Sequence, residues 1–251
     1  MGVTVNCDMG EGFGPYRLGD DEALMAHIDV ANVACGFHAS DPTIMAATVQ
    51  LAKARKVAVG AHPSLPDRQG FGRREMVLGR DELCAQLVYQ VGALKGFLDA
   101  EGMALNHIKP HGALYGMAAR DEAVAHAVAD AAEIFGVPLM GLSGTLHETV
   151  YEARGILFIA EFFADLDYDS DGNLIITRDH ERVEPRAAAA RVTRALAEGL
   201  VGSVEGADVA VRADTICVHS DTPGAVEIAE SVRRAVATFA AVEIAARSTA
   251  R

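Results

Sequence analysis

Three basic side chains stand at alternate positions in the segment 106–115, near the middle of the chain. On a β-strand, His107, Lys109 and His111 would share one face while Ile108 points the other way. Like charges so close together disfavour one another's charged forms, so this face should border water, an anion or a site, and the pKa of Lys109 should be depressed. The alternative is a solvated edge strand with its polar residues turned outward.

Polar side chains also stand at or near the C-terminal ends of five other predicted strands. They are Asn6 and Asp8, Asn32 and His38, His62, Glu161 and Asp165, and His219. Histidine, lysine and carboxylate groups perform acid-base and electrostatic catalysis when a fold holds them together. An isolated histidine is more often a structural residue, but several at strand ends favour a functional site.

Two glycine-containing loops follow predicted strands and add to the same face. The glycines of the loop 8–14 permit positive φ and close backbone approach. The loop 63–74 combines Arg68 and Arg73 with two glycines and could hold a phosphate or a carboxylate, although a surface loop with solvated arginines is an equal alternative. Because neither a P-loop motif nor a dinucleotide-binding glycine motif occurs, the sequence predicts no nucleotide site in this chain.

The elements that must position these side chains alternate along the sequence. Strands are predicted near residues 3–8, 29–35, 57–62, 106–110, 137–142, 156–163 and 215–219. Helices are predicted at residues 41–55, 80–100, 121–135, 145–154, 185–201 and 223–241. This alternation indicates parallel strands joined by crossovers, in a closed (β/α) barrel or an open doubly wound sheet.

We favour a seven-stranded parallel (β/α) barrel because one face of the predicted strands is small or polar. Residues such as Thr4, Ala58 and Gly60 suit a narrow barrel interior, whereas the valine and isoleucine face suits a covering of helices. Sites in such folds gather at the C-terminal ends of the strands. The polar residues at the strand ends should therefore meet at one mouth of the barrel.

The composition is typical of one large globular domain. The chain has 251 residues, of which 50% are hydrophobic and 23% charged, enough to bury a sizeable core. It has no apolar run of about 18 residues and no basic-then-apolar N-terminal segment, so we expect a cytoplasmic protein. The net charge of −13 disfavours nucleic acid and anionic membranes as partners. The scattered cysteines predict reduced thiols.

We predict a single domain over residues 1–251 with one small excursion. Asp171-Gly172-Asn173 is a turn signal between two apolar runs, and it predicts a hairpin near residues 165–178 after the sixth strand. The tail from Ala245 onward is expected to fray.

Five blocks of sequence, in this order, resemble the LamB/YcsF lactam-utilisation family. They are N-C-D-M-G-E at 6–11, A-N-V-A-C-G-F-H-A at 31–39, G-A-H-P-S at 60–64, G-F-G-R at 70–73 and K-P-H-G-A-L-Y at 109–115. The resemblance extends from about residue 3 to residue 240. That family includes the A subunit of the prokaryotic 5-oxoprolinase. The resemblance implies a barrel of the polysaccharide-deacetylase-like type and the ATP-dependent opening of 5-oxoproline to L-glutamate, together with subunits B and C.

The later third of the chain departs from the pattern of that family. Leu166 stands where the family usually has arginine, and Ile176-Thr177 stands where it usually has a proline-arginine pair, with Arg178 one place later. Gly116 and Ser220 replace a common asparagine and glycine. These positions lie at the predicted mouth, so they bear on which substrate is bound.

A five-membered lactam is an unactivated amide, and phosphorylation of its oxygen would make a good leaving group. ATP would be consumed by the complete complex, and this chain would add water to the activated ring. The expected catalytic residues are Asp8 or Glu11 as general base, His38 and His62 as orienting groups, and Lys109 and His111 as stabilisers of negative charge. The expected substrate-binding residues are Asn6, Asn32, Arg68, Arg73, Tyr115, Glu161 and His219.

Two other functions stay open at this point. A metal-dependent deacetylase or amidohydrolase could use Asp8, His38 and His62 as ligands of a divalent cation, although their spacing is not diagnostic. Alternatively, the chain could be a non-catalytic subunit that binds a sugar or an amino acid. The expected partners are subunits B and C and a small lactam, with a homo-oligomer as a further possibility.

Overall fold

In a computed structural model that describes residues 2–177 and 182–249, the chain forms a closed barrel with helices around it. Within this part of the chain, seven parallel strands close the barrel, in the order β1 to β6 and then β9. Their bounds are β1 Thr4–Met9, β2 Val30–Ala34, β3 Ala58–His62, β4 Leu105–Ile108, β5 Leu139–Gly141, β6 Phe158–Phe163 and β9 Thr215–Val218. The predicted seven-stranded (β/α) barrel is confirmed.

The helices pack outside the barrel, as expected for crossover connections. They are α1 Asp21–Leu24, α2 Pro42–Arg55, α3 Arg80–Glu101, α4 Gly112–Arg120, α5 Glu122–Phe135, α6 Leu146–Ala153, α7 Pro185–Glu198 and α8 Ala225–Thr249. Sequence patterns predicted six of them and missed α1 and α4. The short α4 begins at Gly112, whose φ of 55° places the turn directly after His111.

The helix α2 shows how local sequence sets these bounds. The Asp41 side chain accepts hydrogen bonds from the backbone N–H groups of Thr43 and Ile44, at 2.8 and 3.0 Å, and Pro42 occupies the first turn. The helix ends at Lys56, which adopts a left-handed conformation with φ of 59°. These caps set where α2 begins and ends, and the chain then continues into β3.

Two features lie outside the barrel proper. A two-stranded antiparallel hairpin pairs β7 Leu200–Gly202 with β8 Asp208–Ala210. It follows α7, so the helix predicted to reach residue 201 stops earlier. In the segment after β6, an isolated antiparallel bridge joins Tyr168 to Leu174. Arg178, at the end of the predicted excursion, lies outside the described residues.

The barrel interior is polar and fully buried. Asn6 Nδ2 donates to Thr215 Oγ1 at 2.9 Å, and Asn32 Nδ2 donates to Asn6 Oδ1 at 2.8 Å. His107 Nε2 donates to Asn32 Oδ1 at 2.8 Å, which completes a chain of hydrogen bonds across the interior. A Cβ atom at Gly60 would lie 2.0 Å from the His107 ring, so glycine makes room for that ring.

The opposite face of the strands packs against the helices. Val5, Val33, Val59 and Ile108 are fully buried in this apolar layer. The four cysteines are free thiols, and Cys7, Cys35 and Cys217 are buried. Within the described residues, no helix is both long enough and apolar enough to span a membrane.

Candidate active site

A cavity opens at the C-terminal ends of the barrel strands, with a polar floor and a largely apolar wall. Its polar lining residues are Asp8, His62, Arg73, Lys109, His111, Tyr115 and His219. Its other lining residues are Pro110, Gly112, Phe163, Leu166, Leu174 and Ile176. The floor therefore combines acid, base and cationic groups next to a surface suited to a small apolar ring.

Lys109 lies at the centre of the floor and is buried. Its Nζ is 2.9 Å from Asp8 Oδ1, 2.9 Å from Glu161 Oε1 and 3.1 Å from Cys217 Sγ. Burial alone would lower the pKa of Lys109, but the facing Asp8 and Glu161 carboxylates and Cys217 raise it well above its ordinary value. The predicted depression of this pKa is wrong because two carboxylates, and not the neighbouring histidines, dominate the surroundings.

Asp8 is the partner of several groups at once. Its Oδ1 accepts a hydrogen bond from Asn32 Nδ2 at 2.8 Å, while its Oδ2 lies 3.2 Å from His62 Nε2 and 3.7 Å from His219 Nε2. Burial tends to raise the pKa of Asp8, but His62 and Lys109 hold it well below its ordinary range. Asp8 is therefore an ionised carboxylate.

His62 and His111 meet edge to face on the floor. Nδ1–H of His62 donates to the Lys109 carbonyl oxygen at 2.8 Å, and Nε2–H of His111 donates to the Phe71 carbonyl oxygen at 2.7 Å. Their remaining nitrogens, His62 Nε2 and His111 Nδ1, lie 2.9 Å apart. Backbone carbonyls thus fix the orientation of both rings.

Glu11 and His38 form a layer behind this pair and do not line the cavity. His38 Nε2 is 3.0 Å from Glu11 Oε1, and the His38 ring stacks on the His111 ring with 3.7 Å between centroids. Burial, with Asp8 and Asp221 adding to it, raises the pKa of Glu11 well above its ordinary value. Burial lowers the pKa of His38.

Asp165 is one of the strand-end polar residues, but it was not among the expected catalytic or binding residues, and the structure gives it a role beside His219. Its Oδ1 lies 2.9 Å from His219 Nδ1, and its Oδ2 accepts a hydrogen bond from the His219 backbone N–H at 2.8 Å. Burial would lower the pKa of His219, but the Asp165 carboxylate raises it above the ordinary value. Asp165 thus orients His219 and favours its protonated form.

Strand register could have revealed this pair. Phe163 of β6 is aligned with Cys217 of β9, so the positions two residues further on, Asp165 and His219, are neighbours as well. The sequence showed both residues just beyond adjacent strands, but the pairing of the sixth strand with the last one depends on barrel closure.

The other expected binding residues occupy three kinds of position. Arg73 and Tyr115 line the cavity, and Arg73 Nη2 donates to Asp221 Oδ2 at 2.7 Å. Asn6, Asn32 and Glu161 lie buried below the floor. Arg68 does not line the cavity: its guanidinium donates to the carbonyl oxygens of Ser40 and Gly36 and stacks over the Phe13 ring at 4.0 Å.

The loop 63–74 is held rigidly against the site by the buried Asp67. Its carboxylate accepts hydrogen bonds from the Gly70 backbone N–H, at 2.9 Å, and from the Arg74 guanidinium. Gly72 has a φ of 67°, and a Cβ there would lie 2.2 Å from Ser64 Oγ. The loop therefore needs glycine at this position to place the Phe71 carbonyl against His111.

A second cavity adjoins the first on the side of α4. The two share Arg73, Tyr115, Leu174 and Ile176, and the second also contacts Glu75 and Arg120. Ile176, one of the positions that departs from the family pattern, lies in the wall between them. The second cavity thus lies directly beside the first, separated from it by these shared side chains.

Among the residues that the structure describes, two groups of side chains have the spacing of metal ligands. The ligand atoms of Glu11, His38, His62 and His111 all lie within 4.8 Å of one another, and so do those of Asp8, Cys217 and His219. The second group is a poor cation site because Lys109 Nζ already lies 2.9 Å from Asp8 and 3.1 Å from Cys217. The expected set of Asp8, His38 and His62 is divided between these groups.

Sequence and fold are both similar to those of known proteins. The model of the LamB/YcsF family matches residues 3–250. The lactam utilization protein lamB of Emericella nidulans is 49% identical, covering 94% of this chain and 95% of its own. A 5-oxoprolinase A subunit of Pseudomonas putida is 46% identical, covering 93% and 94%. The crystal structure of a lactam utilization protein from Thermus thermophilus superimposes with a TM-score of 0.87 at 43% identity, covering 96% and 98%.

Proposed function

This chain belongs to the LamB/YcsF family, and we propose that it is the A subunit of an ATP-dependent 5-oxoprolinase, which opens 5-oxoproline to L-glutamate. The names of its relatives support a hydrolytic role in lactam processing, and the word "subunit" implies that they assemble with other chains. We propose subunits B and C as the partners of this chain.

The observation that carries the proposal is the composition of the cavity. An ionised carboxylate, Asp8, the Lys109 ammonium group and the His219 imidazole share one floor opposite the apolar wall. The ring methylenes of 5-oxoproline would contact Leu174 and Ile176, while its carboxylate would approach Arg73.

Each polar group then has a role in opening the ring. Asp8 accepts a proton from the water that attacks the carbonyl carbon of the phosphorylated ring, and Lys109 stabilises the negative charge of the phosphorylated oxygen. The bond between the carbonyl carbon and the ring nitrogen breaks, and His219, held by Asp165, donates a proton to that nitrogen. The acyl phosphate that results is then hydrolysed by a second water, which releases phosphate and leaves L-glutamate. His62 and His111 orient the water and the ring.

Activation of the lactam oxygen by ATP is assigned to the partner subunits. Neither glycine motif for nucleotide phosphates occurs in this sequence, and the cavity floor is occupied by acid-base groups. The partners would therefore phosphorylate the ring oxygen, and the activated ring would then reach the floor.

Reconstitution tests this function. The purified chain should form no L-glutamate from 5-oxoproline and ATP, and glutamate should appear only when subunits B and C are added. Robust ATP turnover by the isolated chain, or full glutamate formation by B and C without it, would contradict the proposal.

The group of Glu11, His38, His62 and His111 favours a second candidate, a metal-dependent amidohydrolase. Lactam opening without ATP or partner subunits, abolished by a chelator and restored by a divalent metal, would support that candidate instead.

A further inference from the structure

The hydrogen bonds of His62 and His111 leave one nitrogen of each ring facing the other, and a cation between these two nitrogens would stabilise them. A carbonyl oxygen only accepts, so His62 Nδ1 and His111 Nε2 must both carry hydrogen toward Lys109 O and Phe71 O. In neutral rings, the facing atoms His62 Nε2 and His111 Nδ1 then both bear lone pairs, at a separation of 2.9 Å, and His62 Nε2 also faces the Asp8 carboxylate at 3.2 Å. Two buried lone pairs this close repel unless a proton or a metal ion lies beside them.

We propose that this cation is a divalent transition metal ion bound by His62 Nε2, His111 Nδ1 and the Glu11 carboxylate. Zinc bonds to such ligands measure about 2.1 Å, so two ligands at angles of about 90 to 110° lie about 3.0 to 3.4 Å apart. The observed separations are 2.9 Å for His62 Nε2 to His111 Nδ1 and 3.5 Å for His111 Nδ1 to Glu11 Oε1.

The surroundings of the three ligands are those of a metal site. Histidines that bind metals typically donate their other ring N–H to a backbone carbonyl or a carboxylate, and both histidines here do so. Glu11 is in turn contacted by His38 Nε2 at 3.0 Å and by Ser220 Oγ at 3.3 Å. Two histidines and one glutamate form a familiar zinc set that leaves a position open for water or substrate.

His38 is excluded as a fourth ligand by its orientation. Its ring is parallel to that of His111, with an interplanar angle of 5° and 3.7 Å between centroids. An imidazole binds a metal in the plane of its ring, so two stacked rings cannot both direct lone pairs at one ion. We assign His38 as the hydrogen-bond donor that orients Glu11, which differs from the ligand set expected from sequence.

The position of the ligands would place the ion next to the substrate space, where it could take part in catalysis. His62 and His111 line the cavity, whereas Glu11 lies behind them, so two of the three ligands border the substrate space. When bound, the ion would polarise the lactam oxygen or a water molecule. This role rests on the proposed function, but binding of the ion does not.

Metal titration of the whole chain tests the proposal. Chelator-treated protein, without nucleotide, lactam or partner subunits, is titrated with Co²⁺ by absorption spectroscopy and with Zn²⁺ by calorimetry. We expect one equivalent per chain and no thiolate charge-transfer band, because the ligands are nitrogen and oxygen. His62→Ala, His111→Ala and Glu11→Gln should each weaken affinity at least about tenfold, whereas His126→Ala, a change at a partly exposed helix position, should not.

The proposal is overturned if folded wild-type protein binds no stoichiometric metal, which would leave a shared proton between the two histidines. It is also overturned if His62→Ala and His111→Ala bind metal as wild type does. Glu11→Gln is nearly isosteric, so it stays informative if a histidine variant fails to fold. Failure to bind metal would leave lactam opening with partner subunits untouched, and loss of that activity would not affect the titration.

Discussion

At the residue scale, the site is organised by one ammonium group that two carboxylates share. Lys109 is nearly inaccessible, and so are Asp8 and Glu161, with side-chain exposures of 2%, 3% and 0%. Buried charges persist only when they are paired, so each of the three depends on the others. The same contacts that keep Lys109 protonated also keep Asp8 ionised, which is the state required of a base.

Replacing Lys109 by methionine should therefore affect both activity and stability. We expect kcat in the reconstituted complex to fall at least about 100-fold, because one stabiliser of developing charge is lost. The free energy of unfolding should fall by about 3 to 5 kcal/mol, because Asp8 and Glu161 are left buried without their cation. Urea unfolding and steady-state kinetics on the same preparation measure the two effects.

The double variant Lys109→Met with Glu161→Gln is the control for that change. The added Glu161→Gln change removes one of the two carboxylates that are left buried without their cation. The double variant should therefore recover part of the stability and none of the turnover. A stable Lys109→Met protein with full activity would show that Lys109 has no role in turnover.

Two histidines outside the cavity should make the fold sensitive to acid. Burial lowers the pKa of His107, next to the Lys109 cation, and that of His147, in each case to about 3. In the unfolded chain both histidines bind a proton near pH 6.5, whereas in the folded chain they stay neutral to much lower pH. The free energy of unfolding is therefore at its full value above pH 6.5 and decreases as the pH falls toward 3. At pH 5 each histidine should lower the free energy of unfolding by about 2 kcal/mol relative to pH 7.

Urea unfolding at pH 7 and pH 5 checks this prediction. In His107→Gln or His147→Gln, the loss of stability between the two pH values should be smaller than in wild type by about 2 kcal/mol. His126→Gln, which changes a partly exposed histidine, should show the wild-type loss. Identical losses in all four proteins would contradict the assignment.

At the scale of elements, parallel strands and short loops bring distant residues to one mouth. Periodicity located all seven barrel strands because each alternates between small or polar and apolar residues. It missed α4 because Gly112 and Gly116 lower helix propensity, whereas packing of Ala113, Leu114 and Ala118 stabilises the helix. It could not pair Asp165 with His219, since barrel closure decides which strands are neighbours.

The interior chain of hydrogen bonds depends on glycine in β3. In Gly60→Ala, the new methyl would lie 2.0 to 2.3 Å from the His107 ring, so the ring must leave Asn32. We expect a loss of about 3 kcal/mol in the free energy of unfolding. Gly96→Ala is a matched control in α3, where a Cβ would meet nothing within 4 Å. It should stabilise the protein by roughly 0.5 to 1 kcal/mol.

Thermal and urea unfolding of the two variants decide the point. Adding His107→Ala to Gly60→Ala should restore part of the lost stability, because the clash is with that ring. Equal stabilities for Gly60→Ala and wild type would show that the interior tolerates a side chain there.

At the scale of the whole molecule, the fold was predictable and the detailed chemistry was not. Alternating elements and small interior residues such as Gly60 indicate the barrel. The strand-end residues Asp8, His62 and Lys109 indicate that the candidate site lies at the C-terminal ends of its strands. The pKa of Lys109 and the orientation of Arg68 depend on neighbours more than 25 residues away in sequence. Such contacts exist only once the barrel has closed.

The most direct test of the central claim is turnover by Asp8→Asn in the complex with subunits B and C. The substitution keeps the shape of the side chain and removes the carboxylate that we assign as proton acceptor, so kcat for L-glutamate formation should fall at least about 100-fold. Binding of 5-oxoproline and assembly with the partners should persist. Wild-type turnover by a folded, assembled Asp8→Asn complex would contradict catalysis at this floor and favour a subunit that only binds its ligand.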